Sequence, residues 1–433
     1  MKKYLIIGGI VLGFVAMIIG SILLVNPSNT PRGNQEKVEI IWWKPFQDRT
    51  DVAALIEDYQ KLRPNVTVRY VKKNINDYEQ ELLNAIASGN SPDIFTVHND
   101  WLPKQMDKLA AMPDNIISER QYRETFVDVA ADDFIKDGKI YAVPLSVDVL
   151  ALFYNKDILG SAGIFTPPTT WPEVVAAVQK ITKQDSSGNF TRSGIAMGAS
   201  NNVNRAVDIL LLLMLQNGTQ FYNQTFTSAT FDQMVRYNDQ SFNPSVSALD
   251  YFTQFSRPSK RAYTWNVRSD HSVDAFAQGK LGMMLSYSYM IPTIKDKAPN
   301  LNWGVVGMPQ PDTSGLKTNF ANYWGEAVSK TSTKQDYAWD FLAFVSQKEE
   351  MKKYTDKVKV PASRKDLLEE QSKDVEIGVF AENAITARSV YKSDASQFES
   401  IILKMIDDVV LRGETPQDAV RDAVSQVNFL LRR

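Results

Sequence analysis

Side chains able to do covalent or metal chemistry are scarce in this sequence. There is no cysteine, which excludes disulfides, thiolate metal sites, a cysteine nucleophile and cysteine lipidation. The chain has 2 histidines, His98 and His271, too few for a multi-histidine metal centre. P-loop, GxSxG, HExxH and EF-hand signatures are absent from it. The neighbours Asp132-Asp133 and Asp407-Asp408 would point in different directions on a helix, so they read as solvated pairs rather than an acid/base couple. Aromatic surface, by contrast, is plentiful, with 8 tryptophans and 17 tyrosines. Rings stack on the apolar faces of a ligand, while carboxylates, amides and arginine pair with its polar groups. The chemistry on offer is therefore non-covalent recognition.

Such rings need a scaffold that brings them to one place. VEIIWW (38–43), VTVRYV (66–71) and DIFTV (93–97) are short apolar runs of the kind that form buried parallel strands. Between them, 48–62 carries Val52, Leu55, Ile56, Tyr59 and Leu62 at helical spacing, with Asp48 or Thr50 as cap, and 77–87 predicts a second helix. Strand–helix–strand–helix–strand at this spacing is a doubly wound α/β lobe. Ligands of such sheets sit beyond the carboxyl ends of the strands. That places Trp42, Trp43 and Lys44, and His98 to Trp101, on a ligand-facing edge.

Further along, 139–154 reads as a long strand entered through Pro144. Thr170 and Pro172 mark the start of a helix that runs to Thr182. Residues 203–217 form a very apolar helix, 281–289 a buried strand and turn, and 302–309 another strand. Amphipathic helices fall at 333–347, 349–357, 398–411 and 416–431. At roughly 150 residues per domain, 433 residues allow two or three domains. Lys+Arg 48 against Asp+Glu 50 lacks the basic excess of a nucleic-acid surface. Residues 4–25 are uncharged and mostly apolar, follow Lys2 and Lys3, and are long enough to cross a hydrocarbon core of about 30 Å. No small-x-small cleavage site follows them, so a retained membrane helix is expected, with residues 1–3 as a cytoplasmic stub, 26–36 as a flexible linker and the body exported.

Several phrases carry a family resemblance. They are ASGNSPDIFTVHNDW (87–101), GKIYAVPLSVDVLALFYNKDIL (138–159) followed by TPPTTWPEVV (166–175), AFAQGKLGMMLSYSYM (275–290) followed by NWGVVGMPQP (302–311), NYWGEAVSKTSTKQDYAWDFLAFVSQKEEM (322–351) and TPQDAVRDAVSQVN (415–428). In this order and spacing the chain resembles the extracellular solute-binding proteins of ATP-binding-cassette importers, in the sugar-binding, maltose-binding-protein-like group. The resemblance implies an α/β, two-lobed periplasmic-binding-protein-like fold with hinge-crossing strands, here preceded by the transmembrane helix. Lobe I is expected over 37–147 and 304–330, and lobe II over 148–303 and 331–433, with crossings near Ser146–Leu152, Trp303–Val306 and 325–335. It implies binding without catalysis, cofactor or metal. The expected partners are a carbohydrate, of oligosaccharide size, and the permease subunits of an importer. Three alternatives stay open: an exported carbohydrate-active enzyme, a ligand-sensing subunit, and a binding protein for a non-sugar solute.

The resemblance also focuses the candidate ligand contacts. Trp43 and Lys44 end the first strand, and Asp100 and Trp101 follow the third, where the family often places ligand contacts. Asp148 is a carboxylate inside the apolar run SVDVLALF and matches an acidic position of the family's sugar-contacting strand. Tyr287 and Tyr289 follow LGMML, with Tyr289 where relatives often carry a stacking aromatic. Tyr323 and Trp324 precede the third crossing, and Arg388 lies before a C-terminal helix. His98 reads as structural, and Trp171, Trp303 and Trp339 read as packing residues.

Overall fold

The computed structural model describes residues 36–432 except 238–239, 312–314 and 316. The apolar segment 4–25, its 1–3 stub and nearly all of the 26–36 linker lie outside the described residues. Among the described residues no helix is long and apolar enough to cross a membrane.

The first sheet has the strand order Val66–Lys73, Val38–Pro45, Ile94–His98, Trp324–Ser329, Leu109–Ala110, and Ala142–Pro144 also pairs with Trp324–Ser329. The first three strands run parallel, and Trp324–Ser329 lies antiparallel to Ile94–His98. The β-α-β-α-β reading of residues 38–97 thus holds. The helix Arg49–Leu62 starts at Asp48, whose amide donates to the Asp51 carboxylate (2.8 Å), and buries Val52, Leu55, Ile56 and Tyr59 at i, i+3, i+4 spacing.

The second sheet has the order Lys183–Gln184, Phe190–Ile195, Leu281–Ser286, Ala151–Asn155, Trp303–Gly307. Helix Trp171–Ile181 flanks it and begins as the sequence predicts: the Thr170 hydroxyl accepts from the Glu173 amide, and the Glu173 carboxylate accepts from the Thr170 amide (3.1 Å). Helix Ala206–Gln216 is buried along nearly its whole length.

A small third sheet, Ala387–Arg388, Asn319–Asn322 and Asp148–Val149, sits where the chain passes between the other two. One crossing runs from Ala142–Pro144 through Asp148–Val149 into Ala151–Asn155, as expected. The stretch expected as one long strand is therefore split into Lys139–Ile140, Ala142–Pro144, Asp148–Val149 and Ala151–Asn155, because the crossing changes sheets.

The other boundaries move. Trp303–Gly307 belongs wholly to the second sheet, and the second crossing lies at Asn319–Tyr323. Helices Gln335–Val345 and Lys348–Val358, expected in lobe II, pack on the first sheet. Phe341 meets Trp42 (5.4 Å between ring centroids) and Tyr59 (5.0 Å), and the Tyr59 hydroxyl donates to Asp340 (2.8 Å). Their apolar faces cover the same side of the sheet as helix Arg49–Leu62, which amphipathic periodicity alone does not reveal. The third crossing then lies between Lys365, whose ammonium still reaches Asp128 of the first lobe (2.8 Å), and helix Gly378–Ala384, where the Phe380 ring lies 6.1 Å from that of Phe153 of the second sheet.

Candidate functional site

On the first lobe, aromatic rings gather at the carboxyl end of Ile94–His98. Register sets Trp324 opposite His98. The Trp324 ring meets His98 at 4.9 Å, Trp101 at 5.2 Å, Phe46 at 5.5 Å and Tyr78 at 6.3 Å, all edge-to-face. Trp101 also stacks on Tyr78 (6.2 Å). Phe46 is 49% exposed and its backbone is left-handed, φ 72°. A Cβ makes that conformation costly, so a bulky residue held in it is a mark of functional strain. Trp43 is half-buried one strand away, with the Lys73 ammonium 3.7 Å from its ring centroid.

On the second lobe, Tyr289 is 40% exposed and stacks on buried Tyr287 (5.8 Å). Arg205 begins helix Ala206–Gln216 with a left-handed φ of 61°, donates from Nε to the Tyr289 hydroxyl (2.7 Å), and lies over both rings. The Tyr287 hydroxyl donates to Asp208 (2.9 Å). A second exposed aromatic group joins Tyr222, Phe226 and Tyr391, with Phe226 again left-handed at φ 55°.

Buried polar groups tie these surfaces to the hinge. Asp148, on the crossing strand, accepts from the Ser288 hydroxyl (2.7 Å), the Ser288 amide (3.1 Å) and the Val149 amide (2.9 Å). It fixes the turn that presents Tyr289. Burial outweighs these hydrogen bonds and pushes its carboxyl up to about 6. Asp100 accepts from Lys392 (2.9 Å) and pairs with His98 Nδ1 (2.5 Å). Burial opposes the Asp100 charge, but His98 and Lys392 together hold the carboxyl below the usual range. Between the lobes is a gap of about 10 Å³ lined by His98, Asn99, Asp100, Asp208, Asn322 and Lys392. The second crossing has its own carboxylate, Asp133, which accepts from Tyr323 (2.6 Å), Ser389 (2.5 Å) and Asn99 (3.0 Å). Two aromatic faces on separate lobes, joined by hydrogen-bonded crossings, can close on a small molecule. No cluster of metal-ligating side chains occurs among the described residues.

Residues 54–379 match the model of the bacterial extracellular solute-binding protein family. The chain belongs to that family. The multiple sugar-binding protein of Streptococcus mutans is 23% identical to this solute-binding protein over 375 residues, 86% of each chain. The sn-glycerol-3-phosphate-binding periplasmic protein of Salmonella typhimurium is 23% identical over 415 residues, 88% of this chain and 90% of its own. Among solved structures, the sugar-binding protein MalE of Xanthomonas citri superposes with a TM-score of 0.74 at 21% identity, covering 91% of this chain and 97% of its own. These relatives are binding proteins, not enzymes.

Of the expected contact residues in this solute-binding protein, Trp101, Trp324 and Tyr289 lie on the aromatic faces, Trp43 lies beside one, and Asp100 and Asp148 lie between them. Four expected contacts are corrected. Lys44 points into the core, is 5% exposed, and forms a buried ion pair with Glu326, because strand alternation turns it away from Trp43. Tyr323 is buried, donating to Asp133 and to the Val129 carbonyl (3.0 Å), so it anchors the second crossing. Tyr287 is fully buried behind Tyr289 and orients Asp208 and Arg205. Arg388 is exposed on the hinge sheet beside Asp132, away from the rings.

The sequence reading missed Phe46, Tyr78, Arg205, Asp208 and Lys392 and took His98 as structural only. Tyr78 and Asp208 occupy helices whose pattern reads as packing. Phe46 and Arg205 owe their place to left-handed backbones, which no periodicity signals.

Proposed function

We propose that this protein captures a carbohydrate of oligosaccharide size between its lobes by hinge closure and hands it to the permease of an ATP-binding-cassette importer. In this reading the segment 4–25 tethers it to the membrane with the body outside. The observation that carries the proposal is the pair of aromatic faces, exposed Phe46 with half-buried Trp324 and Trp101 on one lobe and exposed Tyr289 with Arg205 on the other, presented from opposite sides of the hinge. Rings cover the C–H faces of a sugar, and Asp100, Asp148 and Arg205 supply acceptors and donors for its hydroxyls. The sugar-binding relatives support the same ligand class. Closure excludes water from these contacts and offers a permease a shape that the open form lacks.

The test is thermal unfolding of the full-length chain against mono- and oligosaccharides, sn-glycerol 3-phosphate, polyamines and peptides. A ligand at a hundred times its dissociation constant adds about 2.7 kcal/mol. Stabilisation by an oligosaccharide class that is not consumed supports the proposal. Turnover of the sugar would replace it with the enzyme reading, and a response to sn-glycerol 3-phosphate alone would change the solute.

A further inference from the structure

The second sheet ends on Trp303–Gly307, whose described ladder partner is Ala151–Asn155 alone. The Lys156 amide donates to the Asn302 carbonyl (2.9 Å). Hydrogen-bonded and non-bonded pairs alternate along an antiparallel ladder. The N–H and C=O groups of Trp303 and Val305 therefore point outward from the sheet. All five residues of the strand are half-buried. Folded proteins usually blunt such an edge with proline, a bulge or a covering helix. Here helix Gly378–Ala384 closes the far end, where a Cβ on Gly307 would stand 3.2 Å from the Asn383 amide, while at the near end its Val379 forms the facing wall of an open groove.

The near end opens on a groove of about 590 Å³. Tyr154 and Trp303 give it an aromatic wall. The Tyr154 ring lies across Gly304, so that a Cβ there would come within 2.7 Å of the phenol oxygen, and this hydroxyl has no hydrogen-bond partner among the described residues. Trp303 stacks on Phe153 (5.8 Å), which holds its ring in place. Three lysines stand at the rim. Lys295 reaches Glu376 (2.8 Å) and Lys359 reaches Asp374 (4.0 Å), both in exposed pairs that exchange readily with solvent or another anion. Lys156 has no carboxylate partner among the described residues.

We infer that this groove docks an extended acidic peptide segment of a protein partner, added as a sixth strand on the outer edge of Trp303–Gly307. Main-chain bonds to Trp303 and Val305 would hold the strand, and alternate side chains would fall against Tyr154 or reach the lysines. The lysines also select the occupant. Lys295 and Lys359 are offset by Glu376 and Asp374 on the same groove, so Lys156 is the charge that leaves it net positive, disfavours the same edge of a second copy and favours a strand that carries carboxylates. This surface lies apart from the aromatic faces of the cleft.

The test uses the full-length chain and two fluorescent peptides of alternating valine and charged residue, one with glutamate and one with lysine, read by anisotropy. Saturable binding of the glutamate peptide, at least tenfold tighter than the lysine peptide, is expected. Val305→Pro deletes an outward N–H, and Lys156→Glu reverses a rim charge. Each should weaken binding at least tenfold while leaving the far-UV circular dichroism spectrum unchanged. Equal binding of the two peptides, unaltered binding in both variants, or no saturation at millimolar peptide would overturn the inference. Equal loss of peptide binding in Tyr289→Ala would move the peptide into the cleft, and a dimer lost in Val305→Pro would make the occupant a second copy.

Discussion

Asp148 holds the first crossing through hydrogen bonds alone, with no cation against it, and this makes its titration measurable. Burial pushes its carboxyl up to about 6 in the folded chain, against 3.8 for an ordinary aspartate. A raised folded value means that the native state keeps the proton to higher pH than the unfolded chain does. The associated stability is fully present below 3.8 and is lost as pH rises through about 6. At 1.36 kcal/mol per pH unit the whole effect is about 3 kcal/mol, of which about 2 kcal/mol falls between pH 4.5 and 7.5. Asp148→Asn removes the charge and keeps the shorter bonds, since its oxygen accepts from the Val149 and Ser288 amides and its NH2 group donates to the Ser288 hydroxyl; only the long bond from the Tyr289 amide (3.4 Å) is lost, at a cost that does not vary with pH. An unfolding entropy of about 2.1 cal/mol/K per residue over roughly 400 residues makes 2 kcal/mol worth about 2–3 °C. The Tm of Asp148→Asn minus that of the wild type should therefore rise by about 2–3 °C from pH 4.5 to 7.5. Scanning calorimetry of both proteins at several pH values measures it. A difference independent of pH, or one that shrinks as pH rises, would refute the claim that burial outweighs hydrogen bonding at Asp148.

Tyr289→Ala should raise the dissociation constant of the cleft ligand about tenfold, from a lost stacking contact of about 1 kcal/mol and its companion hydrogen bonds, with little change in the unliganded Tm; calorimetric titration tests it. Lys44→Met should behave in the opposite way, costing about 3–5 kcal/mol of stability because Glu326 stays buried and unpaired, while affinity in the surviving folded protein is unchanged. Phe46→Gly should unfold at higher urea than Phe46→Ala, by about 1 kcal/mol, because only glycine is relaxed at φ 72°, while both variants bind the cleft ligand more weakly. An equal midpoint for the two would remove the strain argument.

What the sequence by itself determined was local and periodic. The short apolar runs at 38–43, 66–71 and 93–97 and the helical spacing between them set a parallel α/β lobe, because each run has one face or two to bury and few ways to do so. The Thr170–Glu173 cap was legible for a similar reason, since its partners are three residues apart. The place of Trp101, Trp324 and Tyr289 on the two aromatic faces was legible because strand ends open on one edge of the sheet and the family phrases mark them. Tertiary structure decided the rest. Lys44 and Trp43 are adjacent in sequence, yet a strand sends one into the core and the other toward the surface; only the partner 282 residues away, Glu326, shows which. Helices 335–345 and 348–358 present apolar stripes that fit either lobe, and the choice rests on Trp42 and Tyr59, far upstream. The cleft itself rests on pairings such as Asp100 with Lys392 and Asp148 with Ser288, 292 and 140 residues apart. Contacts at such separation leave no periodic trace in the chain, because nothing local requires them until the two lobes are folded and joined.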